Sequence, residues 1–122
     1  MENKRNQIIY WISTILVAII FLGSAFMKLS GSEVSKEMSN GVGGNENLII
    51  LGILELVITL FWLIPKTGII GTLLGIAYIG GAISIHFVNN QPITVPIIIQ
   101  NIILLAAFCR FPELLQRIKN KL

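Results

Sequence analysis

The sequence predicts an all-α transmembrane protein, an antiparallel four-helix bundle with N-in/C-in topology, built from residues 1–122 as a single domain. Three observations carry this reading. Four apolar segments, roughly 8–29, 48–64, 68–88 and 93–111, each approach the ~20 residues that a helix needs to cross a hydrocarbon core. Two of the connections, Pro65-Lys66-Thr67-Gly68 and Asn89-Asn90-Gln91-Pro92, are so short that the spans they join must be antiparallel neighbours. The basic residues Lys4, Arg5, Lys66, Arg110, Arg117, Lys119 and Lys121 all fall on one side of that threading, and the opposite connections contribute only Lys36, which places both termini in the cytoplasm. A hydrophobic share of 54%, a charged share of 12% and a mean hydropathy of +0.81 exclude a soluble domain. No period-2 alternation is present, so the spans are helices and not barrel strands.

The elements follow in order. Lys4 and Arg5 before the first span resemble a signal-peptide start, but the apolar run is too long for the usual h-region and three more spans follow, so it is expected to be retained. In the long outer connection, 30–47, Ser30 and Glu33 fit a capping box, and Val34 and Met38 share a short apolar face. A turn or two of surface helix is predicted there before Gly41-Val42-Gly43-Gly44, acting as a lid over the bundle mouth or as a solvated connector. The third span carries Gly71 and Gly75 at G-x-x-x-G spacing and Gly80 with Ser84 as a second small pair. These are packing signals toward a helix of the same chain or of another copy, which leaves a homo-oligomer open. Pro96 falls in the first turn of the fourth span, where it either removes a hydrogen bond or occupies a position whose N–H is free anyway. Tyr10, Trp11 and Trp62 near the cytoplasmic ends suit an interfacial aromatic belt. The net charge of +3 follows from topology and does not indicate nucleic-acid binding; the basic tail is suited to membrane lipid of anionic type. The single cysteine, Cys109, has no second thiol with which to exchange.

The chemistry concentrates in a few intramembrane polar groups. Glu55 lies in the middle of the second span, where a carboxylate costs a few kcal/mol on insertion scales and so is turned inward, paired, protonated or part of a pathway. At about 1.5 Å per residue, Glu55 and Gln100 sit roughly 10 Å below the outer ends of their helices, and Lys28 and His86 within about 5 Å of theirs. Cα–Cβ bonds tilt toward a helix N-terminus, so Lys28 and His86 on outward-running spans lean down while Glu55 and Gln100 on inward-running spans lean up, toward one level. A ligand-binding set of Lys28, Glu55, His86 and Gln100 is predicted, with Lys28 and Glu55 as an ion pair and His86 and Gln100 completing its hydrogen bonds. Asn101 belongs to the same intramembrane polar set, and Ser24, Thr59 and Tyr78 are weaker members. Each has a plainer reading: a snorkelling Lys28, a packing His86, and Gln100 or Asn101 as interhelical glue worth about 1 kcal/mol or less. One histidine and one buried carboxylate provide too few ligands for zinc or haem iron, so no metal site is predicted.

At these same residues the chain resembles the DoxX-like family of small four-helix membrane proteins. The likeness rests on Gly23-Ser24-Ala25-Phe26-Met27-Lys28-Leu29, Gly52-Ile53-Leu54-Glu55-Leu56, Ile64-Pro65-Lys66-Thr67, and Tyr78-Ile79-Gly80-Gly81-Ala82 leading to His86. It implies a bacterial inner-membrane protein whose polar centre is formed by the Lys, Glu and His positions, in a family associated with membrane redox systems including quinone-linked ones. Under that resemblance the expected function is an accessory protein that binds a small lipophilic molecule, with a quinone as the candidate cofactor and a membrane redox protein as a candidate partner. Glu55 would then exchange a proton, Lys28 would polarise a carbonyl oxygen, and His86 and Gln100 would donate hydrogen bonds. Glycines at Gly23, Gly52, Gly75, Gly80 and Gly81 are expected to leave the volume for such a ligand. Two other readings stand beside it: a proton-coupled transporter component with Glu55 as coupling site, and a structural subunit whose ion pair only fixes helix register.

Overall fold

A computed structural model describes residues 4–119, apart from the side chain of Arg5; the predicted basic residue Lys121 lies outside the described residues. Six α-helices follow one another, and no strand is present among the described residues. They are α1 Lys4–Leu29, α2 Glu33–Val42, α3 Asn45–Leu63, α4 Gly68–Val88, α5 Thr94–Arg110 and α6 Pro112–Lys119, with a 3₁₀ turn at Pro65–Thr67. Three stretches, Asn6–Leu29, Asn45–Leu63 and Pro65–Val88, are long and apolar enough to cross a membrane, and α5 with α6 makes a fourth candidate broken by a 92° bend.

The packing follows from small and apolar residues recurring at helical spacing. α1 buries Thr14, Val17, Phe21 and Ala25, while Ile12, Ile15, Ile19, Leu22 and Phe26 form an opposite, exposed stripe. Such a stripe is far more apolar surface than a water-soluble protein leaves open, and lipid is its natural solvent. α1 packs against α3 and α5, and α4 packs against the same two helices. At Gly71 an added Cβ would lie 2.5 Å from the backbone nitrogen of Trp62, so α4 lies backbone to backbone on α3 there. Gly75 faces Phe21 of α1 at 3.5 Å, so the two glycines of the G-x-x-x-G pair serve different neighbours within the chain.

Prolines set the breaks. Ile64 before Pro65 is extended, and Phe111 before Pro112 has φ −123° and ψ 84°, as expected where a proline ring excludes helical geometry in the preceding residue. Pro96 is the third residue of α5, where N–H groups have no intrahelical partner, so its ring costs no hydrogen bond. That settles the two options the sequence left.

Two expectations need correction. The outer helix α2 is capped by Ser32, whose hydroxyl accepts from the Ser35 N–H at 3.4 Å; Ser30 does not form the expected box, because Gly31 at φ 73° turns the chain first. Trp62 is not an interfacial belt residue but a 2%-exposed core residue, its indole N–H donating to the Thr14 carbonyl at 2.9 Å. The basic tail after α5 is helical: the chain turns through 92° into α6.

Candidate functional site

The α1 sequence places Ser24 and Lys28 one turn apart on one face, and α3 places Gly52, Glu55 and Thr59 on the face that meets it. Gly52 is filled by Leu29, which brings the end of α1 close enough for Lys28 to reach across. Lys28 Nζ lies 3.0 Å from Glu55 Oε1, with the two side chains 11% and 2% exposed. The predicted ion pair is therefore formed. Its further partner is Ser24: Lys28 Nζ donates to Ser24 Oγ at 2.6 Å, and Ser24 Oγ donates to Glu55 Oε1 at 3.1 Å. A charge this deeply buried is tolerable only when its lone pairs are met, and the Ser24 hydroxyl relays one more hydrogen bond to the carboxylate than the ion pair alone supplies.

Tyr78 of α4 stands over the pair, with Lys28 Nζ 6.0 Å from its ring centroid and its hydroxyl donating to the Leu51 carbonyl at 3.5 Å. His86, two turns further along α4, does not touch the pair. Its Nδ1 is 2.8 Å from the Ala82 carbonyl of its own helix. Gln100 is not brought to the pair either: its Oε1 is buried with no hydrogen-bond partner, and α5 presents Val95, Pro96 and Ile99 in its place. The hydrogen bonds expected of His86 and Gln100 are thus made by Ser24.

These groups face a cavity of about 770 Å³ between α1, α3, α4 and α5, covered by α2. Ser24, Lys28, Glu55, Tyr78 and His86 supply polar atoms to its wall; Ile20, Phe21, Leu48, Leu51, Ile79, Ile85 and Ile99 supply apolar ones. Of the glycines expected to create the space, Gly81 lines it, while Gly52 and Gly75 are filled by Leu29 and Phe21. α2 contributes Val34, Met38 and Val42 to the roof. It is tied at one end by Ser35, whose hydroxyl donates to the Met27 carbonyl, and at the other by Asn89 Nδ2, which donates to the Gly41 carbonyl at 3.1 Å.

A second polar cluster, not anticipated from sequence, closes the opposite end. Arg110 is 2% exposed, and its guanidinium donates to the Trp62 and Leu63 carbonyls at the end of α3. Its Cζ lies 4.6 Å from the Trp62 ring, 5.0 Å from Phe111 and 5.1 Å from Tyr10. The carbonyl end of a helix and aromatic faces both attract a cation, which accounts for a buried arginine held without a carboxylate. In the sequence Arg110 shows only its place at the end of an apolar run, which an orientation charge would also occupy.

A small, all-helical, multi-pass membrane protein with a charged pair on the wall of a large cavity between its helices is the class that these features define. The chain belongs to the DoxX-like family, whose family model matches residues 12–109. That match contains Ser24, Lys28, Glu55, Tyr78, His86 and Gln100, and stops short of Arg110 and α6. No curated protein and no solved structure matches the chain significantly.

Proposed function

We propose that the protein is an inner-membrane accessory component of a bacterial membrane redox system, holding a small lipophilic molecule of the quinone or quinol type in the cavity under α2. In this reading α1, α3, α4 and α5 cross the bilayer as an antiparallel bundle with both termini cytoplasmic, and the Lys28–Glu55 pair lies in the outer half. The observation that carries the proposal is the cavity: about 770 Å³, largely apolar, with a few polar groups in its lining. That size and lining are usual for small-molecule sites, and a ring with an alkyl tail partitions into such a wall. Lys28 would orient an oxygen of the ligand, and Glu55, held by Lys28 and Ser24, would be the group able to exchange a proton with it.

The test is thermal unfolding of the purified protein with a short-tailed ubiquinone or menaquinone analogue, added in both oxidised and reduced form. Either form should raise the melting temperature, and Glu55→Gln or His86→Ala should weaken the effect. If neither form shifts the transition at saturation, the ligand reading fails and a structural role for the ion pair takes its place.

A further inference from the structure

Hydrogen-bond polarity on the cavity wall constrains what can occupy it. A carbonyl oxygen only accepts, so the contact of His86 Nδ1 with the Ala82 carbonyl at 2.8 Å puts the ring hydrogen on Nδ1. In the neutral ring Nε2 is then bare and acts as an acceptor. The Tyr78 hydroxyl likewise has its hydrogen claimed by the Leu51 carbonyl or the Glu55 carboxylate, and either bond leaves its oxygen as an acceptor. The Ser24 hydroxyl gives its hydrogen to Glu55, and two of the three Lys28 N–H bonds are directed to Ser24 and Glu55. In the half-buried part of the wall two acceptors, His86 Nε2 and Tyr78 Oη, thus stand against one remaining ammonium hydrogen, while the Glu37 carboxylate and the Gln91 amide line only its exposed rim. A ligand with only carbonyl oxygens would leave those acceptors unmatched in an apolar surrounding, which is costly. A ligand that brings its own O–H satisfies them.

Resting on the cavity reading above, we propose that the site selects a lipophilic molecule with a hydroxyl on its head, phenol-like or quinol-like, whose O–H donates to His86 Nε2. This reverses the sequence expectation, in which His86 was the donor. An ether or ketone oxygen has no hydrogen to give to His86 and can use only Lys28.

Two redox-inert probes of matched shape test this, 4-nonylphenol and its methyl ether, titrated into the full-length protein in nanodiscs by calorimetry. The phenol should bind about tenfold more tightly than the ether, the value of one net hydrogen bond. In His86→Phe the two should bind alike. The chain has a single histidine, so the ¹⁵N imidazole spectrum of the wild-type protein reads His86 without ambiguity. An Nδ1-protonated ring whose Nε2 resonance moves with the phenol and not with the ether supports the proposal whether or not the variant folds. Equal affinities, or an Nε2-protonated ring, would overturn the hydroxyl assignment and leave the cavity reading intact. Binding of neither probe nor of the quinone analogues would overturn both.

Discussion

Glu55 and Lys28 are the residues whose removal should say most about the site. With Glu55 2% and Lys28 11% exposed, deleting either leaves the other buried without a counter-ion, a change that typically costs about 3–5 kcal/mol, whereas deleting both removes the problem with the benefit. Lys28→Met and Glu55→Gln should therefore each be strongly destabilising and the double variant milder than their sum, measured as unfolding in detergent. Strictly additive losses would mean that the pair is not coupled in solution. Glycines give an independent check on the packing. Gly71→Ala would drive a methyl group to 2.5 Å from the α3 backbone, which cannot yield as a flexible side chain does, while Gly80→Ala meets nothing within 4 Å. We expect a loss of about 1–3 kcal/mol for Gly71→Ala, the usual range for overpacking, and little change for Gly80→Ala. Equal effects would contradict the backbone contact between α3 and α4.

At the scale of elements, α6 shows what a short amphipathic helix after a proline break does. Pro112 starts it, Arg117 and Lys119 lie near its end, and Leu115 and Ile118 are exposed although α6 meets α5 at 92°. If α5 crosses the membrane, α6 lies in its plane, where exposed leucine and isoleucine reach the acyl boundary and basic side chains reach anionic headgroups. A spin label at Ile118→Cys in a Cys109→Ser background should collide more readily with oxygen than with an aqueous nickel chelate; the reverse preference would place α6 in water. The long apolar helices were legible in the sequence because hydrophobicity is a local property, and the expected 48–64 and 93–111 become Asn45–Leu63 and Thr94–Arg110. The Lys28–Glu55 pair was legible for a related reason, since a charge inside an apolar run must find a partner. Ser24, Arg110 and α6 were not. A serine carries no comparable cost signal, and Arg110 reads as an orientation charge until the end of α3 and three rings are known to surround it. The sequence of α6 does hold its proline start and apolar spacing, but eight residues are too few for periodicity to stand out. Gln100 failed differently: its depth was estimated from the threading, but depth says nothing of which way around the helix a residue faces.

For the whole molecule, everything turns on whether α5 crosses. It has 17 residues, about 25 Å of helix against a hydrocarbon core of ~30 Å, and length alone leaves its crossing undecided. The contacts at its two ends argue that it crosses. Near its start, Val95, Pro96 and Ile99 line the same cavity as Leu48 and Leu51 in the first half of α3; at its end, Arg110 is bonded to the Trp62 and Leu63 carbonyls that finish α3. α5 is thus held alongside most of the length of α3, a helix of 19 residues that qualifies as a span by itself. A shortfall of a few ångströms is met by local thinning of the bilayer or by snorkelling of the flanking basic residues, at a modest cost. With the four crossings proposed above the termini share a side, and the basic residues at both ends and in the Lys66 turn predict that this side is the cytoplasm. A fluorescent-protein fusion at either terminus should therefore fluoresce, an alkaline phosphatase fusion at either terminus should be inactive, and phosphatase inserted in the loop between α2 and α3 should be active. An active phosphatase at the C-terminus with a cytoplasmic N-terminus would require an odd number of crossings, which would leave α5 on the outer side and is incompatible with Arg110 closing the same end of α3 as Tyr10 of α1.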